Sequence, residues 1–203
     1  MTTYLILTRS VHFAKRELHE AGFFMPFFNF YSGAFMTLTD LSPPPNSAVS
    51  LDAAKTFLRV DHPDEDGLIA DLIDAATRQI EDRCGVSLIT RAQRIIKCNA
   101  GAGIYLNRYP ILSIEQVTHE GEPLPIEANL RARPVLVRAE AKGDITVDFT
   151  AGFGEVSEDI PTPLRQGLLL LLAHLYEFRG EPSPPGFPMM VDALIQPYRG
   201  VRL

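Results

Sequence analysis

Five histidines, two cysteines and one dense acidic cluster are the residues of this sequence whose types support catalysis or metal binding elsewhere. His12, His19, His62, His119 and His174 are scattered, and no two share the i, i+4 spacing that aligns imidazoles on one helical face. Cys84 and Cys98 have neither the Cys-x-x-Cys spacing of a redox pair nor that of a zinc site, so they read as free thiols suited to a reducing compartment. Asp61, Asp64, Glu65 and Asp66 lack the alternating ligand spacing of a calcium loop; favourable charge at a helix start accounts for them. Gly101-Ala102-Gly103 and Gly152-Phe153-Gly154 do not run from a strand straight into a helix N-terminus, as a phosphate cradle must, and read as turns. A Gly-x-Ser-x-Gly elbow, a Walker loop and a His-Glu-x-x-His helix are all missing. The expectation is a protein with no catalytic residues, no metal and no cofactor, and hence not an enzyme.

The elements that carry these residues are marked by local signals. Ser50 caps a helix predicted over 51–59, with Leu51, Ala54, Phe57 and Leu58 on one side. A longer helix follows the acidic cluster: Leu68, Ile69, Leu72, Ile73, Ala76, Ile80 and Cys84 recur at helical spacing, and Gly85 ends it. Its other face, with Asp71, Asp74, Arg78, Glu81 and Asp82, is expected to face solvent or a channel. Between Thr90 and Thr150 the pattern turns to short β-rich stretches, at 92–98, 103–106, 111–118, 134–138 and 144–150, which predict a small antiparallel sheet. His119-Glu120-Gly121-Glu122 reads as a hairpin turn within it.

Thr162 followed by Pro163 marks a helix start, and the helix is expected to reach Gly180 with Thr162 as its cap. Leu168, Leu169, Leu170, Leu171 and Leu172 cover all its directions, which predicts contact with its own sheet on one side and with another helix or subunit on another. Leu168, Leu169, Leu172 and His174 are therefore subunit-interface candidates; core packing alone is the plainer reading. A Pro/Gly stretch from Pro182 to Pro188 leads to a short helical patch over 189–195.

Composition bounds what such a chain does. The 203 residues suit one domain with appendages, and 46% apolar with 22% charged residues are ordinary globular values. The most apolar run, Leu168 to Ala173, falls far short of the roughly 20 residues of a membrane span, so no membrane partner is expected. A net charge of −6 disfavours tight nucleic-acid binding. Residues 1–35 stand apart, with Phe23, Phe24, Phe27, Phe28, Phe30, Tyr31 and Phe35 crowded together without a clean period. Met36 is a plausible protein start, so that segment reads either as a misassigned upstream start or as an aromatic arm that docks on a neighbour. The division expected is an N-terminal extension and proline linker over 1–49, a main domain over 50–180, and a C-terminal linker and arm over 181–203. The fold class expected is α+β: a helical bundle of two N-terminal helices and the long leucine-rich helix, with a small antiparallel β-sheet insertion and the C-terminal arm.

The order of pieces carries more than any single motif. Leu51-Asp52-Ala53-Ala54-Lys55 and Leu58-Arg59-Val60-Asp61 lead into Asp64-Glu65-Asp66 and a helix ending Ile80-Glu81-Asp82-Arg83-Cys84-Gly85. Tyr109-Pro110-Ile111-Leu112-Ser113-Ile114 follows, then a strand ending Phe149-Thr150-Ala151-Gly152-Phe153-Gly154, then Ile160-Pro161-Thr162-Pro163-Leu164-Arg165-Gln166 opening the helix to His174-Leu175-Tyr176-Glu177. Over about residues 50–203, including Pro197-Tyr198-Arg199 and Val201-Arg202-Leu203, the chain resembles the phage head-tail connector (adaptor) family, which includes proteins of gene transfer agents.

That resemblance implies a structural subunit in the neck of a virion, assembled in the bacterial cytoplasm. It implies a ring, a dodecamer, bound to the portal protein on one side and to a stopper or tail-terminator protein on the other. DNA passes through the lumen without specific binding, and an acidic conduit does not trap it. The C-terminal arm then becomes the expected portal grip, with Met189, Met190, Leu194, Tyr198, Arg199, Val201, Arg202 and Leu203 as contact candidates of types favoured at interface anchors. The alternatives are a one-to-one regulatory binding module and a small enzyme with an unrecognised site.

Overall fold

The computed structural model describes residues 36–100, 103–139, 143–179 and 187–200. The expectations for residues 1–35, for Gly101 and Ala102, for Gly180 and the linker up to Gly186, and for Val201, Arg202 and Leu203 lie outside the described residues.

Strand β1 (Met36–Asp40) precedes the helices α1 (Leu51–Leu58) and α2 (Asp66–Cys84). Seven strands follow, β2 (Arg91–Ala100), β3 (Gly103–Leu106), β4 (Ile111–His119), β5 (Glu122–Pro123), β6 (Glu127–Ala128), β7 (Val135–Arg138) and β8 (Gly143–Ala151). Helices α3 (Thr162–Glu177) and α4 (Met189–Ile195) complete the described chain, with short 3-10 turns before α3 and after α4. The class is α+β.

Local chemistry explains the helix ends. The Ser50 hydroxyl accepts from the Ala53 N–H at the start of α1, meeting one of the donors a helix start leaves unpaired. Gly85, at φ 66°, closes α2 in the left-handed region where a residue without Cβ is not strained. Thr162 is the first residue of α3 and makes no capping bond; Pro161 takes the cap position. The expected cap is thus displaced by one residue, because an extended Pro161 leads directly into the turn.

The sheet portion is larger than the expected small insertion. Two antiparallel sheets form, one ordered β1-β2-β8-β4-β5 and one ordered β3-β7-β6. Their apolar residues share one core, with Ile95, Val117, Ile145, Val147 and Phe149 from the first and Ile104, Leu106, Val135 and Val137 from the second. Period-2 alternation along β8 puts Ile145, Val147 and Phe149 inward and leaves Thr146, Asp148 and Thr150 on the other face. Glu120 and Gly121 connect β4 to β5 at φ 51° and 93°, the positive pair that a two-residue hairpin turn demands.

Strand β1 corrects the expectation that the fold begins after the proline linker. Met36 to Asp40 pairs antiparallel with β2 from Lys97 to Gln93 and forms an edge of the larger sheet. Its Thr-Leu-Thr alternation was a strand signal, but five residues ahead of a proline run are too few to stand out.

A second core belongs to the helices. Ile69, Ile73, Ala76 and Ile80 of α2 meet Leu164, Leu168, Leu171 and Leu172 of α3 there, joined by Ala54 of α1 and by Val191 and Ile195 of α4. The neighbours of α3 are α1, α2 and α4. This corrects the expected packing of the leucine-rich helix on the sheet: three helices pack against it, and Leu169 and Leu170 stay half-buried.

Candidate functional site

The expected interface residues separate into groups once folded. Leu168 and Leu172 are fully buried in the helical core, and Leu169 is partly buried against it. His174 is half-buried, its ring centroid 4.7 Å from that of Phe178. On α4, Met189 and Met190 project into solvent, 87% and 67% exposed. Leu194, Tyr198 and Arg199 are half-buried, and the first two pack on the helical core.

The C-terminal segment therefore differs from the expected arm set apart from the domain. Val191 and Ile195 are core residues, and α4 approaches α3 at Gly167, where an added Cβ would stand 3.0 Å from Ile195 Cγ2. Asp192 accepts from Arg83 Nη2 at 2.7 Å and also from Arg199, while the Gly200 N–H donates to the Cys84 carbonyl at 3.1 Å. These bonds tie the segment to the C-terminal end of α2.

The acidic face of α2 also divides. Asp71, Asp74 and Asp82 are exposed, whereas the Glu81 side chain is 1% exposed, which corrects its placement on that face. Its two oxygens accept from Arg91 Nη1 at 2.9 Å and Nη2 at 2.7 Å, and Oε1 also accepts from the Leu88 N–H at 2.8 Å. Arg91 Nε donates to Asp40 Oδ1 at 2.9 Å; Gln93 donates to the same oxygen at 2.7 Å, and Arg78 pairs with Asp40 Oδ2 at 2.7 Å. Burial opposes the charge of Asp40, but the bonds from Gln93, Arg91 and Arg78 more than offset it and hold its carboxyl at about 2. The network joins β1, α2 and β2, elements that local periodicity treats separately. Its sequence signal was the parity of β2, which sends Arg91 and Gln93 to the same face as Ile95.

Exposed carboxylates obey different arithmetic from buried ones. Asp71→Asn and Asp74→Asn are each expected to change unfolding free energy by no more than about 0.5 kcal/mol in a urea titration. A larger loss at either position would place it in a contact the fold does not show.

A cleft of about 590 Å³ opens where the end of α2 meets the β1–β2 edge and the loops flanking β3 and β7. Leu38 and Tyr105 give it apolar walls, and Lys97, Arg108 and Arg133 bring cations to it. The Arg108 side chain is 10% exposed; its Nη1 donates to the Glu81 carbonyl at 3.0 Å and its Nη2 to Asp82 at 2.6 Å, while its buried Nε has no acceptor among the described residues. Arg133 stacks 4.6 Å from the Tyr109 ring centroid and donates to the Tyr198 carbonyl. Lys97 donates weakly to the Gly103 carbonyl at 3.4 Å. Among the described residues neither Arg133 nor Lys97 forms a salt bridge with a carboxylate, so the cleft carries a surplus of positive charge.

Among the described residues no group of three or more His, Cys, Asp or Glu side chains is placed to hold a metal ion. The thiols Cys84 and Cys98 are free, and burial raises both above the ordinary thiol range, with Asp144 adding to the effect at Cys98. Both are poor nucleophiles at neutral pH. What the surface offers is contact: an exposed methionine pair and a cationic cleft.

Residues 48–129 match the family model of the phage gp6-like head-tail connector protein. No curated protein matches the chain. Among solved structures, the chain is similar to one in the neck of an empty GTA particle computed with C6 symmetry and to one in the virion of a native gene transfer agent (GTA) particle. Each likeness has 25% identity and a TM-score of 0.68, over 82% of this chain and 97% of that one. A chain in the neck of a native GTA particle computed with C12 symmetry is similar at 26% identity and a TM-score of 0.64, with the same coverage.

Proposed function

We propose that this chain is a structural head-to-tail connector (adaptor) subunit that forms a dodecameric ring in the neck of a phage or gene transfer agent particle. The portal lies on one side of the ring and the stopper or tail on the other, and DNA passes through its lumen. The observation that carries the reading is the fold likeness: 97% of a neck-particle chain is covered, so the likeness takes in nearly that entire subunit and not a shared fragment. The connector-family match over residues 48–129 supports it independently. The net charge of −6 fits a conduit that repels phosphate.

Portal attachment falls to the C-terminal segment, where Met189 and Met190 are the exposed apolar pair. An unbranched thioether adapts its shape to a partner, and a ring engages all its copies at once, so weak contacts sum to firm attachment. The double substitution Met189→Glu with Met190→Glu should leave the melting temperature unchanged, since both side chains face solvent, and weaken portal capture at least about tenfold. Mass photometry of the protein with and without the portal, followed by portal pull-down, tests both parts. A one-to-one complex would replace the ring by a regulatory module; undiminished capture would move the attachment surface elsewhere on the domain.

A further inference from the structure

We infer that, in the ring proposed above, the tip of the β4–β5 hairpin of one copy seats in the cationic cleft of the next copy. The inference rests on that ring reading and specifies how the ring closes. A ring of identical subunits joined head to tail needs two different, complementary surfaces on opposite sides of each subunit.

The larger sheet supplies both sides. The cleft lies along β1 and β2, with Leu38 and Lys97 in its wall, and β1 is one edge of the sheet. The hairpin strand β5 is the other edge, four strand spacings away, or roughly 19 Å across the sheet. A rigid sheet thus holds knob and socket apart at a constant angle, as a closed ring requires.

The charges are complementary. Glu120 and Glu122 stand exposed at the hairpin tip, and neither forms a salt bridge among the described residues. In the cleft, among the described residues, Lys97 donates only to a carbonyl oxygen, Arg133 donates to a carbonyl oxygen and stacks on Tyr109, and the Nε of Arg108 is a buried donor without an acceptor. A buried donor left unpaired is costly, and an incoming carboxylate removes the cost with a charge-assisted bond. The positive φ values of Glu120 and Gly121 fix the tip in a tight two-residue turn, so little conformational entropy is lost when it docks. Pro123 and the 45% exposed Ile126, just beyond the tip, offer apolar surface to the Leu38 and Tyr105 walls. The acidic turn with Glu155 and Glu158 is not part of the edge strand β5.

The test uses the full chain with its portal. Wild type should give ring-sized particles by mass photometry, and Glu120→Lys with Glu122→Lys should lower the ring fraction about tenfold while leaving the melting temperature unchanged. Lys97→Glu with Arg133→Glu should lower the ring fraction likewise, and mixing the two charge-reversed proteins should restore rings in which the two alternate, because every hairpin then meets a cleft of opposite charge. Combining all four substitutions in one chain should restore them. Because Arg133 also holds Tyr198, a crosslinking pair stands beside the swap: Glu120→Cys with Lys97→Cys in a Cys98→Ser chain should form a ladder of covalent oligomers up to the ring. Rings that persist in the hairpin variant, together with an absent ladder, overturn this interface and leave the ring reading standing. A wild-type chain that stays monomeric on the portal overturns both.

Discussion

Glu81→Gln should lower the unfolding free energy by roughly 3 kcal/mol, the scale on which removing one partner of a buried ion pair leaves the other charge uncompensated. The side chains of Glu81 and Arg91 are 1% and 2% exposed, so water cannot solvate an Arg91 that loses its bidentate acceptor. The Leu88 N–H loses a charged acceptor in the same step. Equilibrium urea unfolding measures the loss, with Asp71→Asn as the exposed control. A Glu81→Gln chain as stable as that control would show that Asp40 alone compensates Arg91. Replacing both partners by apolar residues, Glu81→Leu with Arg91→Met, should recover part of the loss, since no buried charge then remains.

The same network sets a pH dependence. Asp40 titrates at about 2 in the folded state against its ordinary 3.8, so the unfolded chain binds the proton first. Its contribution, about 2 kcal/mol, is complete above roughly pH 4 and fades as pH falls through 2. The stability difference between wild type and Asp40→Asn should accordingly be constant from pH 5 to 7 and shrink below about pH 4. A difference that grows on acidification would reverse the sign and remove Asp40 from the network.

Ending the chain after Pro188 should cost a large share of the whole fold's stability. Val191 and Ile195 each bury a full side chain, worth about 1.5–3 kcal/mol apiece, against a total of roughly 5–15 kcal/mol for an ordinary domain. The cut also exposes the α3 surface around Gly167 and Leu168 and releases Arg83 from Asp192. Ile195→Ala isolates the packing part and should cost about 2–5 kcal/mol, because α4 is held from both ends and collapses poorly onto the cavity. Thermal melting of the two variants beside wild type gives the result. An unchanged midpoint in the truncated chain would mean that α4 is a detachable arm. Attachment to the portal is therefore better probed by the exposed methionines than by truncation, which confounds binding with folding.

Ser50, Gly85 and the Glu120–Gly121 turn act within a few residues of themselves, so the start of α1, the end of α2 and the β4–β5 hairpin were determined by the sequence alone. The stripe of Ile69, Ile73, Ala76 and Ile80, and the alternation of Ile145, Val147 and Phe149, likewise named members of both cores, because burial follows the period of the element. Glu81 escaped this logic. It stands on the flank of the apolar stripe, where periodicity alone does not separate a solvated carboxylate from a buried one, and its partner arrives on β2 beyond the helix end. Only the tertiary structure decided that pairing, as it decided that Asp40 reaches Arg91 across 51 positions and Arg83 reaches Asp192 across 109. The docking of α4 and the pairing of β1 belong with these. Short segments bury too little surface to declare their own state, and what they pack against depends on how the intervening chain brings distant surfaces together.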